Sequence, residues 1–589
     1  MPIALPRQRG DDVRRAADAA RSGSQTWGGV SESDREAAES AAAPRRAAAP
    51  TRVVVLGGGF GGVYTALRLE RLARRGAPLH VSLVNRENYL VFQPMLAEVI
   101  AGDVGILDTL SPLRQLLPRT SLYVREIEDV DLERRVVTLA AGLTPRTHEL
   151  SFDDLVVALG GVTDFRGLPG LPEHALPFKT LADAVRIRNH VIHVLEQSSI
   201  ERDTGMRRAM LTFVVAGGGF SGTEVAAGLN DFVRRTARDY RSIPRDEVRV
   251  VLVHSGTRVL ERELTPRLSE YATRALRDQG IELLLGRRLA AATPGSAVLT
   301  DGARIATRTL ISTVPSSPNP VVEQLGLPLS GGRLECDAAL AVAGAPGVWA
   351  LGDCALVPMP DGRPSPPTAQ HAIRQATVLA DNIVARRTGA PGRAFAFSGL
   401  GKLGGLGHRR AVAELPGGIR LSGLPAWLMW RGVYWSKLPG VSRKARVAIS
   451  WVSDVVLPPH PVQLNLGGGR GATQAHYEPG EVVFEEGDSG DSLFMILSGD
   501  VEVVKRFDDG PAVVGALGAG EYFGEMALLG RRPRSATVRA RTALDVLVLP
   551  GADFSALTGS LPEFRKGFEE IARLRAEANA ARKTDRPAG

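Results

Sequence analysis

The chain has few cysteines and no long hydrophobic run. Only Cys336 and Cys354 occur among 589 residues, which excludes a framework of disulfide bonds. No stretch reaches the about 18 consecutive apolar residues that a membrane-spanning helix needs. The first residues lack the apolar core of a secretory signal, so we expect the glycine-rich part of the chain to face the cytoplasm.

Basic residues outnumber acidic ones. The formal net charge is +8, which suits an acidic partner such as anionic lipid or nucleic acid, although a solvated basic surface has the same composition. No nucleic-acid partner and no metal site is predicted. Residues 1–50 are rich in Ala, Arg, Ser and Asp without sustained apolar periodicity, so we expect a disordered tail there.

Two glycine-rich loops, each following an apolar run, dominate the first part of the chain. Residues 53–62 read VVVLGGGFGG, and residues 214–222 read VVAGGGFSG. Both contain the G-x-G-x-x-G spacing, in which the first glycine permits a tight turn, the second lets a pyrophosphate approach, and the third lets a helix pack closely on the strand. The glycines are Gly57, Gly59 and Gly62 in the first loop, with Phe60 and Gly61 between them, and Gly217, Gly219 and Gly222 in the second.

This repetition predicts an α/β fold with two Rossmann-like dinucleotide-binding domains. One would hold FAD, and the other would receive NADH or NADPH. The residue that ends the second strand of such a domain usually offers an acid to the adenosine ribose. Asn85 stands there in the first domain, where its amide can still hydrogen-bond a hydroxyl.

In the second domain the strand-end residue is His254, with Arg258 nearby. Neither residue repels a 2′-phosphate as an acid would. Two alternatives remain open: the site prefers NADH through other contacts, or it also accepts NADPH.

Residues 87–102, ENYLVFQPMLAEVIAG, carry a family resemblance. They resemble the type II (single-subunit, non-proton-pumping) NADH:quinone oxidoreductases, in which an NY-x-x-F-x-P-(M/L)-L-x-E-V stretch follows the second strand. The resemblance implies that hydride passes from NADH to FAD and two electrons then reach a membrane quinone. It also implies a peripheral position on the cytoplasmic face of a bacterial-type cell membrane. Most side chains of the stretch can equally be core.

The resemblance assigns several site residues. Glu224 would lie near flavin and nicotinamide and deliver protons to the quinone; its carboxylate could instead only complement the helix dipole. Asp353, in the segment VWALGDC, would accept hydrogen bonds from the ribityl hydroxyls. Ala369, Gln370 and Gln375 would lie under the flavin ring and shape the quinone pocket, although Ala376 replaces the glycine usual in the family.

Residues 424–457 are the candidate membrane segment. They contain Trp427, Trp430, Trp435 and Trp451 interleaved with basic residues, which predicts two short helices lying on an anionic membrane surface. The sequence LPG at residues 438–440 is expected to break the segment into these two helices. Val447, Trp451 and Val455 recur four apart, as one apolar face requires. Alternatively, the tryptophans fill a core or a dimer seam, so a homodimer is left open.

The last module is predicted to be a β-roll that binds a cyclic nucleotide. Residues 523–538, FGEMALLGRRPRSATV, resemble the phosphate-binding cassette of cyclic-nucleotide-binding domains. Backbone amides after Gly524 would face the phosphate, Glu525 would accept from the ribose 2′-hydroxyl, and Arg534 would contact the cyclic phosphate. Ser535 and Thr537 add hydroxyl donors, residues 564–574 would form a lid helix, and cAMP and cGMP are not distinguished.

The predicted organisation assigns seven segments along the chain. They are a disordered tail (1–50), the first part of the FAD domain (51–162), a linker helix with the NAD(P)H domain (163–345), the second part of the FAD domain with the quinone-site region (346–423), membrane-associating helices (424–460), a linker (461–474) and the cyclic-nucleotide-binding domain (475–580). The predicted function is an FAD-dependent NADH:quinone oxidoreductase with a cyclic-nucleotide-binding regulatory domain.

Two other functions are less consistent with the sequence. A disulfide or sulfide oxidoreductase needs a redox cysteine pair beside the flavin, and no cysteine follows the first glycine loop within its unit. A cyclic-nucleotide-responsive redox sensor would lack respiratory turnover, whereas Glu224, Asp353 and the glutamine pair favour turnover.

Overall fold

The structure is a computed structural model. It describes residues 49–142, 147–165, 167–313, 317–456, 462, 473–507, 509–530 and 533–551, together with residues 554, 568, 570, 573 and 575. Outside these residues lie positions 1–48 of the predicted tail, most of the linker at 461–474 and most of the predicted lid helix.

The first glycine loop opens a five-stranded sheet whose strands all run parallel. Its strands are nearly continuous apolar runs, because helices cover both faces of such a sheet. In spatial order they are Val348–Ala350, Asp154–Val157, Thr51–Leu56, Leu79–Asn85 and Ser121–Val124. The helices Phe60–Arg74 and Ala369–Thr388 pack against each other beside it. The strand Val348–Ala350 brings a late part of the sequence back into this first domain.

The second glycine loop opens another five-stranded parallel sheet. In spatial order its strands are Ala175–Pro177, Thr309–Ser312, Thr212–Ala216, Arg249–His254 and Ile281–Leu285. The long helices of this unit are Leu181–Ile200, Phe220–Thr236 and Pro266–Asp278. The first of these begins at a capping box in which Thr180 and Asp183 satisfy each other's backbone amides.

Both glycine helices begin directly after the second glycine. The first starts at Phe60. The third glycine therefore lies inside the first turn, where a Cβ on Gly62 would stand 1.8 Å from the carbonyl oxygen of Gly57. Only a residue without a side chain permits this close packing of helix on loop.

In the described part of the chain, four three-stranded sheets accompany the two parallel sheets, three of them antiparallel and one mixed, in which Arg333–Glu335 and Ala355–Leu356 run parallel. Three-stranded groups are Ile127–Asp131, Val136–Leu139 and His148–Ser151; Leu289–Ala292, Ser296–Leu299 and Arg304–Ala306; Leu329–Ser330, Arg333–Glu335 and Ala355–Leu356; and Lys402–Gly405, Ala411–Glu414 and Arg420–Ser422. Further short elements are Tyr89–Val91, Leu96–Ala101, Leu110–Pro112, Leu113–Leu116, Gly161–Val162, Leu171–His174, Thr204–Met210, Ser317–Pro318 and Val321–Gln324.

Two helices follow the last of these groups, Leu424–Lys437 and Val441–Val456. They break at residues 438–440, as predicted, because Pro439 and the left-handed Gly440 (φ +91°) interrupt the helix. Among the described residues, no helix has both the length and the apolarity to cross a bilayer.

The C-terminal module consists of two four-stranded antiparallel sheets. One contains Thr473–Tyr477, Leu544–Pro550, Ser492–Ser498 and Tyr522–Phe523, and the other contains Val482–Phe484, Thr537–Ala540, Val501–Phe507 and Gly510–Leu517. The helix Glu525–Gly530 follows directly after Gly524. In the core of this module, the rings of Phe494 and Phe523 stack with their centroids 5.1 Å apart.

Candidate functional site

A cavity of about 360 Å³ lies at the carboxyl end of the first parallel sheet. We call it the flavin cavity, after the ligand predicted for this sheet. Seven of the residues predicted to bind FAD line it, namely Gly57, Gly59, Phe60, Gly61, Asn85, Asp353 and Ala369. Gly62 and Gln370 do not line the cavity. Gly62 instead serves the packing of helix on loop described above.

The first glycine loop fits a dinucleotide. Gly57 has φ +104°, and a Cβ there would lie 2.4 Å from the carbonyl oxygen of Ala158. Gly59 differs, because a Cβ on it would meet no protein atom within 4 Å. The loop therefore leaves space beside its second glycine, where a pyrophosphate approaches the backbone in dinucleotide folds.

The two strand-end residues hold their glycine loops in the same way. Asn85 Oδ1 accepts a hydrogen bond from the Gly58 amide at 2.8 Å, and His254 Nδ1 accepts one from the Gly218 amide at 3.2 Å. Because Nδ1 accepts, a neutral His254 ring carries its proton on Nε2. Burial lowers the pKa of His254, which favours this neutral form. Both residues thus hold the backbone of the glycine loop that they follow.

Gln375 fixes the turn that carries Asp353. Its side-chain oxygen accepts from the Gly352 amide at 2.9 Å, and its nitrogen donates to Ser365 Oγ at 3.0 Å. The residue is only 2% exposed. These contacts favour a positioning role for Gln375 over the predicted place in a quinone pocket.

Gln370 ties its helix to the segment before the C-terminal sheet. Its oxygen accepts from the Leu400 amide at 3.0 Å, and its nitrogen donates to the Gly401 carbonyl at 3.4 Å. The residue is partly exposed, so a face of it is available to a bound molecule.

Lys179 is a cavity residue that the sequence does not single out. Its Nζ lies 3.9 Å from Asp353 Oδ2, and both residues line the flavin cavity. The only sequence signal is local, since Lys179 immediately precedes the capping box of a long helix. The pattern predicts that helix start, but it does not predict that the lysine meets an aspartate far along the chain.

Glu224 lies beside Gly405, Trp430 and Tyr434, and we call these four residues the Glu224 pocket. Its Oε1 accepts a hydrogen bond from the Gly405 amide at 3.0 Å. Glu224 lies beyond the first turn of its helix, where no free helical amides are available to its carboxylate. The alternative in which Glu224 only complements the helix dipole is therefore not favoured. Burial raises the pKa of Glu224 to about 7. Burial also raises the pKa of Tyr434, and the Glu224 carboxylate raises it further.

A chain of aromatic rings connects the flavin cavity with the Glu224 pocket. Phe60, in the first glycine helix, has its ring centroid 5.9 Å from that of Phe92, which in turn lies 6.1 Å from Tyr434. Tyr434 and Trp430 follow at 4.7 Å, and Trp430 packs beside Gly405. All these contacts are edge-on, the geometry that the ring quadrupoles favour.

Glu98 anchors the two candidate membrane helices, a role that the sequence reading missed. Its carboxylate lies 3.6 Å from Arg431 and accepts a hydrogen bond from the Trp451 indole at 3.3 Å. The Arg431 guanidinium lies between the rings of Trp427 and Trp451, at 4.1 and 4.7 Å from their centroids. Three of the four tryptophans are thereby engaged inside the protein, since Trp430 is buried as well.

The predicted apolar face of the second helix points inward. Val447 is fully buried, and Trp451 packs with it against Phe92 and Met95. The spacing identified an apolar face correctly, but the protein itself covers that face; the side chain of Val455 is outside the described set.

A different set of side chains on these helices is open to solvent. We call it the exposed apolar surface, and it consists of Leu424, Leu428, Trp435, Val441, Ile449 and Val452. The most exposed members are Val441, Ile449 and Val452, at 85, 67 and 69%. The exposed basic residues Lys437 and Arg446 lie on the same helices.

The C-terminal module has a cavity of about 200 Å³ at the predicted cassette. Gly524, Glu525, Arg534 and Ser535 line it as predicted, whereas Thr537 does not and instead accepts a hydrogen bond from the Glu486 amide at 3.0 Å. A strand side chain alternates between faces, and Thr537 begins a strand.

The two charged residues predicted to bind the nucleotide already have protein partners. Arg534 donates to the carbonyls of Gly524 and Ser492, and its guanidinium lies 4.2 Å from the ring centroid of Phe484. Glu525 is 1% exposed and pairs with Arg575 at 2.9 Å. Arg575 follows the predicted lid helix directly and was not among the predicted residues.

The C-terminal module contacts the unit that contains the second parallel sheet. The His476 amide donates to Nε2 of His174 at 2.9 Å, and Thr293 Oγ1 donates to Glu481 at 2.7 Å. Burial lowers the pKa of His174 to about 4, so its ring is neutral and able to accept at neutral pH.

Comparison with known proteins assigns the family. Residues 51–376, more than half of the chain, match the family model Pyridine nucleotide-disulphide oxidoreductase. The demethylphylloquinone reductase NdbB of Synechocystis sp. is 32% identical over 411 residues, covering 68% of this chain and 96% of that protein. The chain belongs to the type II NADH:quinone oxidoreductases of this family.

Other relatives agree with this assignment. The type II NADH:quinone oxidoreductase Ndh of Mycobacterium tuberculosis is 28% identical over 416 residues, covering 68% of this chain and 87% of that one. The structure of NDH2 from Plasmodium falciparum in complex with NADH superposes with a TM-score of 0.65 at 18% identity, covering 70% and 99% of the two chains, and so shares the fold. Membership in this family does not favour the alternative prediction, a cyclic-nucleotide-responsive redox sensor without respiratory turnover.

Two further family models match the remaining parts of this type II NADH:quinone oxidoreductase. Residues 400–457 match the NDH2 C-terminal domain, which includes the strands beside Glu224 and both candidate membrane helices. Residues 474–560 match the cyclic nucleotide-binding domain. The predicted β-roll and its ligand class are thereby confirmed, without a choice between cAMP and cGMP.

Proposed function

We propose that this chain oxidises NADH and reduces a membrane quinone, with FAD held between the two substrates. The observation that carries the proposal is the Glu224 pocket. A carboxyl with a pKa of about 7 lies at one end of an aromatic chain whose other end, Phe60, lines the flavin cavity. A quinone that gains two electrons must also gain two protons, and a carboxyl with this pKa can both release and regain a proton near neutral pH.

FAD, when bound, supplies the two-electron redox chemistry of the reaction. The residues of this chain bind and orient it. The open side of Gly59 would receive the pyrophosphate, and Asp353, held by the Gln375 contact with Gly352, would accept from the ribityl hydroxyls. Lys179 lies next to Asp353 and adds a positive charge to the same cavity.

Glu224 would donate a proton to the quinone and recover it from solvent. The Gly405 amide holds one carboxyl oxygen at 3.0 Å and so fixes the orientation of the group. Tyr434 and Trp430 pack beside it and form an apolar wall that a quinone ring can face. Water is excluded on that side, since Trp430 is only 4% exposed.

The exposed apolar surface would bring the quinone pocket to the membrane. Its side chains are large, aliphatic or aromatic, and flanked by Lys437 and Arg446, a combination suited to the boundary of an anionic bilayer. The helix Leu424–Lys437 carries members of this surface and also Trp430 and Tyr434. Docking of this helix on lipid would therefore place the quinone source next to Glu224.

The cyclic nucleotide would regulate the nicotinamide unit through the contact between the two modules. Arg534, the predicted phosphate ligand, packs on Phe484. The strand Val482–Phe484 is preceded by Glu481, which accepts the hydrogen bond from Thr293. Only a few residues of one strand therefore separate the nucleotide cavity from the second dinucleotide unit.

The proposal is tested by matched substitutions in the two glycine loops. Gly59 and Gly219 occupy equivalent positions, and both have extended backbone angles that any residue adopts. Gly59→Val should yield folded but colourless protein, because its side chain fills the pyrophosphate space. Gly219→Val should keep its flavin absorption but lose reduction by NADH. Circular dichroism would establish that both variants fold.

The outcome that contradicts the proposal is equally specific. Wild-type protein that carries no flavin and cannot be reconstituted with FAD would exclude the reaction. So would a Gly219→Val variant that NADH still reduces at the wild-type rate, since the second loop would then not be the nicotinamide site.

A further inference from the structure

The loop after His254 contains a small anion-binding nest that is already filled. Oε2 of Glu261 accepts hydrogen bonds from the Thr257 amide at 3.0 Å, from the Thr257 hydroxyl at 3.1 Å and from the Arg258 amide at 3.3 Å. Successive backbone amides and a hydroxyl that converge on one point are the donors that proteins use to bind phosphate. Here the protein's own carboxylate occupies them.

This nest lies beside the position that faces the adenosine ribose in dinucleotide folds. A Cβ on Gly256 would stand 2.1 Å from Glu261 Oε1 and 2.7 Å from His254 Nε2. The carboxylate and the strand-end ring therefore flank the same glycine. In many NAD sites an acidic residue stands at the position of His254, and that acid binds the ribose 2′-hydroxyl.

The acidic groups around the nest are unfavourable for a second anion, although the Arg262 guanidinium also interacts electrostatically with His254. Glu263 lies on the same side, with Oε1 3.0 Å from the position of a Cβ on Gly219. The Arg258 guanidinium is paired with Glu270 at 3.6 Å, so part of its charge is already compensated. The neutral form of His254 adds no positive charge.

We propose that Glu261 selects NADH over NADPH by occupying the amides that would otherwise hold the 2′-phosphate. The carboxylate that this site lacks at the strand end is thus supplied from seven positions later in the chain. A 2′-phosphate would meet like charge and donors that are already engaged, whereas a 2′-hydroxyl can donate to Glu261. This inference rests on the proposed oxidation of a nicotinamide nucleotide.

The test compares flavin bleaching by NADH and by NADPH in the holoenzyme. Glu261→Ala frees three donors and removes one negative charge, and should raise the ratio of kcat/KM for NADPH to that for NADH by about tenfold, which corresponds to about 1.4 kcal/mol. Glu261→Gln removes the charge but still fills the nest, so its ratio should fall between those of the wild type and Glu261→Ala. Glu282→Ala removes an exposed carboxylate that pairs with Arg249 on the neighbouring strand, and should leave the ratio unchanged.

Each failure has its own signature. An unchanged ratio in both Glu261 variants, with NADH bleaching intact, would overturn the inference and leave the proposed function standing. An equal loss of kcat/KM for NADH and for NADPH in Glu261→Ala, with no change in Glu261→Gln, would show that Glu261 has a merely structural role. That result would also overturn the inference. Absence of bleaching by either nucleotide in the wild type would instead defeat the proposed function.

Discussion

Glu224→Gln replaces the ionisable carboxyl of the proposed quinone site with an amide of nearly the same shape that cannot release a proton. The glutamine oxygen can still accept the hydrogen bond from the Gly405 amide, which lies 3.0 Å from the present carboxylate. The variant should therefore fold and retain FAD. Reoxidation of the reduced enzyme by quinone should slow by about 10²-fold or more, the usual contribution of a general acid.

The pH dependence gives the sharper signature. With a pKa of about 7, Glu224 is mostly protonated at pH 6 and mostly ionised at pH 8. Quinone-dependent reoxidation should therefore fall as the pH rises through about 7, because the acid form is the proton donor. In Glu224→Gln this step should show no transition in that range.

Stability provides an independent magnitude. Raising the carboxyl pKa from 4.5 to about 7 disfavours the ionised form by about 3 kcal/mol. The folded protein then binds more protons than the unfolded chain between these values, so the free energy of unfolding falls as the pH rises from about 4.5 to about 7. Glu224→Gln lacks this contribution, and its stability relative to the wild type should increase across the same range.

The assay is single-turnover mixing of NADH-reduced enzyme with a soluble quinone, followed by flavin absorption between pH 5.5 and 8.5. Asp231→Asn is the matched control, because Asp231 lies two turns further along the same helix and likewise accepts from a backbone amide, that of His408 at 2.7 Å. This control should keep the wild-type profile. A pH profile in Glu224→Gln identical to that of the wild type would remove Glu224 from proton delivery.

Three further variants test other parts of the structure. Arg534→Ala should abolish calorimetric binding of cAMP and cGMP; undiminished heat would mean that this cavity is not the binding site. Asp154→Asn should lower the free energy of unfolding by about 3 kcal/mol in denaturant titrations, because Asp154 is fully buried and pairs with two arginines; a loss below about 1 kcal/mol would contradict this. The Val441→Asp/Ile449→Asp double variant should no longer sediment with anionic vesicles. Ile200→Asp changes an exposed residue elsewhere on the surface and should still sediment with them. Continued sedimentation of the double variant would refute the docking surface.

The sequence was sufficient wherever function depends on a local pattern. Both glycine loops, the strand ends at Asn85 and His254, and the cassette around Arg534 lie where the spacing predicted them. The break between the two C-terminal helices was also predicted, because it depends on a proline and a glycine within three residues. Patterns of this kind carry their own physical cause.

Long-range partners could not be predicted. Periodicity found the apolar face that contains Val447 and Trp451, but it could not indicate that Glu98 and Met95 cover that face. Gln375 illustrates the same limit, since a glutamine on a helix gives no sign that its amide will hold the Gly352 turn.

The carboxylate of Glu261 was missed for a related reason. The usual expectation places the ribose-binding acid at the end of the strand, where His254 stands. The loop turns back on itself, so an acid seven residues later lies beside the same ring. Its backbone partners, Thr257 and Arg258, become visible only in the folded chain.

The most direct test of the account is a two-step stopped-flow measurement on the wild-type protein. NADH should first bleach the flavin absorption without oxygen, and a soluble quinone mixed in afterwards should restore it in a single turnover. Flavin that NADH bleaches but quinone does not restore would contradict the central claim, because the Glu224 pocket would then not serve quinone reduction.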